Sequence, residues 1–273
     1  MRILVTGGTG FIGNYLVKEL KKDGHKVDVY TGDVTDREKT MDAVSKHDMV
    51  YHLAGVLGTS ELIDQAFNAT KVNVLGTINI LDGAVKNKTK VVHVTKPNVW
   101  LNTYSITKEA GEQFAKMYHE QLGVPTISVK WFNVYGPGQS FHCQKAVPFF
   151  IRWALANEDI QIWGDGEQTM DLQHAHDAVR ATILLAGHKD LEGQTIDVGT
   201  GYQTSVNDLA DMIKNIAGSE SKIVHLPMRP GETRGTKLSA DMSILNSYGF
   251  QNKVKLEDGM KETIKWYKSQ PAS

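Results

Sequence analysis

The opening segment of the chain constrains the fold more than any other. Arg2-Ile3-Leu4-Val5-Thr6 is an apolar run of strand type that leads directly into Gly7-Gly8-Thr9-Gly10-Phe11-Ile12-Gly13, after which Asn14 to Lys22 reads as a helix. Glycine at position 7 permits a tight turn, and at Gly10 it lets the backbone approach a pyrophosphate. At Gly13 it lets the helix pack closely on the strand. The helix N-terminus then offers N–H groups and a partial positive charge to the phosphates. A glycine-rich turn alone is weak. Strand, turn and helix in this order are the context in which Gly7, Gly10 and Gly13, with Phe11 and Ile12 between them, predict a dinucleotide site.

A chain of 273 residues is long enough to bury a substantial core as one large domain or two closely joined ones. A net charge of −1 gives no electrostatic footprint for nucleic acid or an anionic membrane. The single cysteine, Cys143, excludes an internal disulfide and fits a reducing compartment. No apolar run approaches the roughly 20 residues that span a bilayer. The chain opens on a strand of the fold, so no signal peptide is expected and a cytoplasmic protein is.

Strand-like and helical runs alternate along the chain, the pattern of an α/β fold with a parallel sheet and helices on both faces. Val27 to Tyr30, Met49 to Leu53, Val91 to Thr95, Thr126 to Phe132 and Thr195 to Val198 read as strands. Ser60 to Val85, Ser105 to Leu122 and Ala175 to Ala186 read as helical. After Gly136-Pro137-Gly138 the pattern loosens, and a smaller second lobe is expected to begin there. A ligand is expected above the carboxyl ends of the strands, between the lobes.

The second informative feature is Tyr104-Ser105-Ile106-Thr107-Lys108. On a helix, Lys108 falls one turn beyond Tyr104 on the same face. A free tyrosine has a pKa near 10, too high for a base at neutral pH. A neighbouring ammonium and a cationic nicotinamide ring both favour the phenolate. Reaching the useful range near 7 asks for roughly 4 kcal/mol.

These features together resemble the extended short-chain dehydrogenase/reductase family, specifically its nucleotide-sugar epimerases and dehydratases, over nearly the whole chain. Thr6-Gly7-Gly8-Thr9-Gly10-Phe11-Ile12-Gly13 is similar to the family's cofactor turn. Gly32-Asp33-Val34-Thr35-Asp36 resembles the segment whose Asp-aliphatic pair, here Asp33 and Val34, holds the adenine. His52-Leu53-Ala54-Gly55 resembles the strand end over the nicotinamide ribose, and Asn73-Val74-Leu75-Gly76-Thr77 the helix whose Asn helps shape the active site. Tyr104 and Lys108 fall on the catalytic Tyr and Lys. In Phe132-Asn133-Val134-Tyr135-Gly136-Pro137 the resemblance places Asn133 against the substrate phosphates, with Val147 also on the substrate. Trp163-Gly164-Asp165-Gly166-Glu167-Gln168-Thr169 and Arg229-Pro230-Gly231-Glu232 match motifs of the substrate lobe. Arg229 would then meet the diphosphate, using the planar fork that suits phosphate oxygens. The resemblance implies a Rossmann-type doubly wound sheet binding NAD in residues 1–136, with about 171–200 added, and a substrate-binding lobe mainly in 137–273.

The departures from the family pattern are as informative. The Ser or Thr expected after the fifth strand, a donor to the reacting sugar oxygen, is replaced by Lys96 with Thr95 before it. Three readings stand: Lys96 donates instead, Thr95 serves after a one-residue slip, or Lys96 is a solvated loop lysine. The dehydratases' Asp-Glu pair is replaced by Pro97 and Asn98, which disfavours 4,6-dehydration, and the loop from Lys96 to Tyr104 is short. The acid that selects NAD at the end of the second strand is replaced by Thr31. No Arg or Lys greets a 2′-phosphate, so NAD is favoured over NADP. A helix and strand usual before Asp33 are missing, so the sheet is expected to lack an edge strand. Met170 replaces a common arginine, which shifts the diphosphate onto Arg229 with Arg180 or Arg234 as helpers.

Other features read as structural. His174-Ala175-His176-Asp177 is a strand-to-helix transition with an Asp cap rather than a metal cluster. Cys143 beside His142 has no orienting third group and reads as a loop thiol. Lys86 to Lys90 reads as a solvated face. Trp100, Trp131, Trp153 and Trp163 read as packing residues, with Trp163 or Trp100 bordering the pocket. The resemblance implies an NAD-dependent epimerase inverting C4 of a UDP-hexose through a 4-keto intermediate, and a homodimer paired through the helices around 60–85 and 105–122. The alternatives are a nucleotide-sugar reductase or dehydratase and, from another class, a non-catalytic dinucleotide-binding sensor or scaffold.

Overall fold

The computed structural model describes residues 1–270 except 98 and 142–144. The Cys143–His142 pair and Asn98 singled out above lie outside the described residues. The strands are β1 (Arg2–Thr6), β2 (Lys26–Tyr30), β3 (Met49–His52), β4 (Lys90–Thr95), β5 (Thr126–Trp131), β6 (Asn133–Tyr135), β7 (Ile160–Trp163), β8 (Thr169–Met170), β9 (Leu172–His174), β10 (Thr195–Val198), β11 (Thr204–Ser205) and β12 (Ile223–Leu226). The helices are α1 (Phe11–Lys22), α2 (Arg37–Ser45), α3 (Ala66–Thr70), α4 (Gly76–Val85), α5 (Thr103–Leu122), α6 (Ala146–Ala156), α7 (Ala175–Ala186), α8 (Val206–Ala217), α9 (Ser243–Ser247) and α10 (Leu256–Lys268). They divide into two compact units, Met1–Trp131 with Val179–Val198, and Phe132–Ala178 with Gly199–Ser273.

The first unit is a six-stranded, wholly parallel sheet in the order β10-β5-β4-β3-β1-β2. Strands covered on both faces read as continuous apolar runs, and β4 is buried along its whole length. The strand order reverses between β1 and β3, so their carboxyl ends open a crevice at Thr6 and His52. Gly7 turns there with φ +69°, where a Cβ would stand 2.8 Å from the Ala54 nitrogen. At Gly13 a Cβ would lie 2.1 Å from the Gly7 carbonyl oxygen. Only a bare backbone lets α1 start this close to β1.

β2 ends the sheet, as the missing edge strand implied, and only Thr31 and Gly32 separate it from Asp33. Asp36 caps α2 by accepting from the Lys39 N–H. α5 starts at Thr103, ahead of the expected Ser105, because the Asn102 side chain accepts from the Ser105 N–H. The helix expected over 60–85 is broken instead. A 3-10 turn at Ser60–Leu62 precedes α3, and a π segment at Lys71–Leu75 joins α3 to α4. The lysine stretch is not a wholly solvated face either, since Lys90 is buried in an ion pair with Glu192 at 3.0 Å.

The second unit is built from three two-stranded sheets, β6 with β9, β7 with β12 and β8 with β11. Its core gathers Phe150, Ile151, Ile160, Ile162, Leu209, Ile213, Met260 and Ile264 beneath α6, α8 and α10. The Asp177 carboxylate accepts the Lys253 and Val254 N–H groups at 2.8 Å each, tying a distant segment to the start of α7.

Gly13→Ala is expected to cost about 3 kcal/mol in denaturant unfolding, because backbone rather than a side-chain tip meets the new methyl. Gly24→Ala, at φ +80° with open space around it, should cost only about 1 kcal/mol of backbone strain. Equal costs at the two positions would contradict the close approach.

Candidate active site

The glycine turn forms the first wall of the site. Gly10 precedes α1 without offering a side-chain acceptor, and no acid stands in the first helical turn. The N–H groups of Phe11, Ile12 and Gly13 have no acceptor within the helix and so remain available to an anion. Beside them, the Asp33 carboxylate accepts the Thr35 N–H at 2.8 Å, and this hydrogen bond holds its pKa below the usual range. Thr31 is exposed at the end of β2. Val34 turns its side chain inward, where a Cβ on Gly76 would lie 2.8 Å away, and its carbonyl accepts from Asn79.

Behind this wall runs a chain of buried hydrogen bonds. Thr77 Oγ1 donates to the Asn73 carbonyl at 2.7 Å, so His52 Nε2 must be the donor to Thr77 Oγ1 at 3.1 Å. His52 Nδ1 then accepts from Thr6 Oγ1 at 2.8 Å, and Thr6 Oγ1 accepts the Ala54 N–H at 3.2 Å. Burial pushes the His52 pKa down to about 3, in keeping with this neutral tautomer. Asn73 sits in the π segment. Its carboxamide accepts the Val56 N–H at 2.9 Å and donates to the Val56 carbonyl and to Thr107 Oγ1. One donor and the acceptor oxygen of Asn73 thereby hold the loop that runs through Leu53, Ala54 and Gly55 to Val56, and the other donor ties Asn73 to α5. A Cβ on Gly55 would approach Asn73 Oδ1 to 2.9 Å.

α5 carries the titratable groups. Tyr104 is half-buried, with Lys108 one turn further on and buried. Burial raises the Tyr104 phenol to about 12, opposite to the lowering expected from Lys108. Burial also lowers Lys108 to about 8, with Glu112 opposing the shift and the charge of Lys96 adding to it. In the protein alone the phenol is therefore protonated at neutral pH. Lys96 is not a solvated loop lysine. It is half-buried, and its Nζ donates to Ser105 Oγ at 2.8 Å and the Pro97 carbonyl at 2.5 Å, 5.6 Å from the Tyr104 ring centre. Thr95 Oγ1 is sealed at the end of β4 with no hydrogen-bond partner among the described residues.

In the second unit, the Asn133 side-chain oxygen is likewise buried and unpartnered, on β6 beside β9. Arg229 lies 5.2 Å over the Trp163 ring, and its Nε and Nη2 both reach Glu232 Oε1, at 2.8 and 2.5 Å. The Val147 side chain joins the hydrophobic core, because it falls on the apolar face of α6. Arg180 is half-buried on α7, within the first unit. Among the described residues, no group of three His, Cys, Asp or Glu side chains is placed to hold a metal ion, and no helix is long and apolar enough to cross a membrane.

The sequence reading passed over Thr6, His52, Thr77, Thr107 and Ser105 as individual side chains. All five lie within the motifs named above, and the pairing of Thr6 with His52 follows from the parallel register that sets them side by side. No local pattern announces Ser105 as the partner of Lys96, because a loop brings them together.

The Lys108 shift has a definite sign. Below pH 8 the ammonium is charged in both the folded and unfolded chain, and its burial costs about 3 kcal/mol for the fall from 10.5 to about 8. Between those values the unfolded chain holds the proton that the folded chain has shed, so stability at this site rises with pH. Lys108→Met should therefore unfold at higher denaturant than the natural chain at pH 7, with the gap closing towards pH 10.5. Equal stability at pH 7 would mean that the ammonium is well solvated.

Comparison with known proteins agrees with this geometry. The family model described as the NAD dependent epimerase/dehydratase family matches residues 3–199. The UDP-N-acetyl-alpha-D-glucosaminuronate decarboxylase of Bacillus cytotoxicus is 31% identical, covering 98% of each chain. The putative UDP-glucose 4-epimerase of Methanocaldococcus jannaschii is 28% identical, also over 98% of each. Among solved structures, the UDP-glucose 4-epimerase of Thermotoga maritima with UDP-glucose superimposes with a TM-score of 0.90 at 26% identity, covering 98% of this chain and 99% of the other. With its parallel Rossmann-type sheet and the glycine turn at the reversal of strand order, the chain belongs to the NAD dependent epimerase/dehydratase family.

Proposed function

We propose that the protein is an NAD-dependent epimerase that inverts C4 of a UDP-hexose through a transient 4-keto sugar. The carrying observation is that one unit holds both the Gly7–Gly13 cradle, which a single added Cβ would fill, and the Tyr104–Lys96–Lys108 group at the start of α5. The cradle fits a dinucleotide, and Gly7, Gly10, Phe11, Ile12 and Gly13 would hold its pyrophosphate. Thr31, Asp33 and Val34 would hold its adenosine end, and Leu53, Ala54 and Gly55, braced by Asn73, its nicotinamide end. When bound, NAD supplies the two-electron acceptor and donor and, while oxidised, a positive charge near the phenol. Without that charge Tyr104 stays protonated. With it and the Lys96 and Lys108 ammonium groups, the phenolate is favoured and accepts the proton of the sugar 4-hydroxyl. Lys108 orients the nicotinamide ribose. Lys96 is the donor presented near Tyr104. In the second unit, Asn133 and Arg229 are assigned to the nucleotide diphosphate. Arg229 would exchange its Glu232 pairing for phosphate oxygens. The relatives are enzymes, which counts against a non-catalytic sensor.

The test is proton NMR of UDP-, GDP- and dTDP-hexoses incubated with the protein and NAD in heavy water. A 4-epimer at equilibrium without solvent deuterium is expected. A keto-deoxy sugar carrying deuterium would mean dehydration instead, and loss of carbon dioxide from a uronate would mean a decarboxylase. Tyr104→Phe should lower kcat by about 10³-fold with the fold intact.

We also infer a homodimer. Phe67 on α3 and Leu101 before α5 are 86% and 88% exposed, and Ile63 and Ile106 on the same two segments are exposed as well. Thr103 Oγ1 donates to the Ile63 carbonyl, joining these segments into one apolar surface of the kind that marks association. Sedimentation should give twice the chain mass, and Phe67→Glu the single chain. A natural chain that sediments as a monomer would remove the inference.

A further inference from the structure

One acid inside the first unit has no place in the reaction described so far. Glu112 lies one turn beyond Lys108, on the same face of α5. Its Oε2 is enclosed with no hydrogen-bond partner among the described residues, and Oε1 reaches Lys130 Nζ on β5 only at 3.9 Å. A carboxylate paired this loosely still acts on other cations nearby. Gly111 between the two residues is bare. A Cβ there would stand 3.0 Å from His93 Nε2 and 3.5 Å from Thr77 Oγ1, so α5 lies close against β4 at the turn that carries Lys108 and Glu112. Neither buried imidazole there supplies a counter-charge, since burial holds His93 well below its ordinary value and His52 at about 3. The other charged side chains on the elements packed against α5 are engaged or exposed. Lys90 pairs with Glu192, Asp82 takes Arg37 and the Tyr118 hydroxyl, and Lys71 is exposed. Asp197 stands beside Lys130 in the strand register. Glu112 is the group that favours the Lys108 ammonium, against burial and the charge of Lys96.

We propose that Glu112 is a positioning residue of the reaction: its carboxylate, steadied by Lys130, holds Lys108 in place as an ammonium from one turn below. This rests on the reading that Tyr104 serves the 4-hydroxyl and Lys108 the nicotinamide ribose. A lysine working beside an oxidised nicotinamide meets a further positive charge, and burial already disfavours its own. A fixed anion one turn away offsets both, acting through Lys108 rather than on the sugar. Helix support does not account for the pair, because an acid that follows its lysine by four residues is the weaker of the two orders.

The test titrates Lys108 directly in the cofactor-free protein, by the carbon NMR signal of its Cε, assigned as the one that Lys108→Met removes. In Glu112→Gln the ammonium should bind its proton roughly tenfold more weakly than in the natural chain, whereas Glu112→Asp should restore most of the difference. Lys130→Met, which takes a competing cation from the same carboxylate, should move the titration the opposite way. With NAD and UDP-glucose, the alkaline limb of the kcat profile should move to lower pH in Glu112→Gln, with KM within about twofold. A merely structural role for Glu112 predicts none of these displacements. A Lys108 titration unmoved in either folded variant overturns the inference, and turnover by the natural chain then leaves the epimerase reading standing. A natural chain that leaves UDP-glucose unchanged overturns that reading, and this inference falls with it. The titration needs neither sugar nor cofactor, so the two failures are told apart.

Discussion

A single buried path of hydrogen bonds fixes the first unit around its crevice. It runs from the Ala54 N–H through Thr6, His52 and Thr77 to the Asn73 backbone, and the Asn73 carboxamide continues it to Val56 and Thr107. One path thus ties β1, β3, the π segment and α5 together. Its members are neutral and buried, so each lost partner would leave a polar atom unsatisfied in a place that water cannot reach. The π segment serves this path. A regular helix would keep Asn73 in a different phase relative to Thr77, and a π turn is a common way to turn one side chain into a site.

The electrostatics of the site make it dependent on what it binds. Burial holds Tyr104 protonated, so the protein alone keeps the phenol away from its working state, while Lys108, lowered to about 8, is still an ammonium at neutral pH. In the second unit the same logic appears at Arg229, whose guanidinium is stacked on Trp163 and held on Glu232, so its planar fork is already oriented. Asp171 organises the backbone of that unit. Its carboxylate accepts from the N–H groups of Thr200, Gly201 and Ala240 and from the Thr200 hydroxyl, so one buried acid sets the path of two separate loops.

Much of the fold was legible because its signals are local. Apolar runs bounded by turn residues marked the five strands named beyond β1 to within about a residue of their ends, and Ala175 to Ala186 coincides with α7. The glycines were legible because backbone clearance is a local requirement: Gly7 and Gly13 meet backbone where any Cβ would stand. The continuous helix expected over 60–85 failed for the opposite reason. Its helical periodicity is real, but contacts of Asn73 and Thr77 with Val56 and His52 decide where it breaks.

By itself the sequence determined the class of fold, the cofactor turn and the spacing of Tyr104 and Lys108, since each depends on neighbours within a turn or a strand. Tertiary structure decided the rest. It set Lys96 against Ser105 and sealed the Thr95 hydroxyl at the end of β4, and it placed the Val147 side chain in the hydrophobic core of the second unit. It also set the Tyr104 phenol of the protein alone above its ordinary value, because a pKa answers to burial as well as to nearby charge.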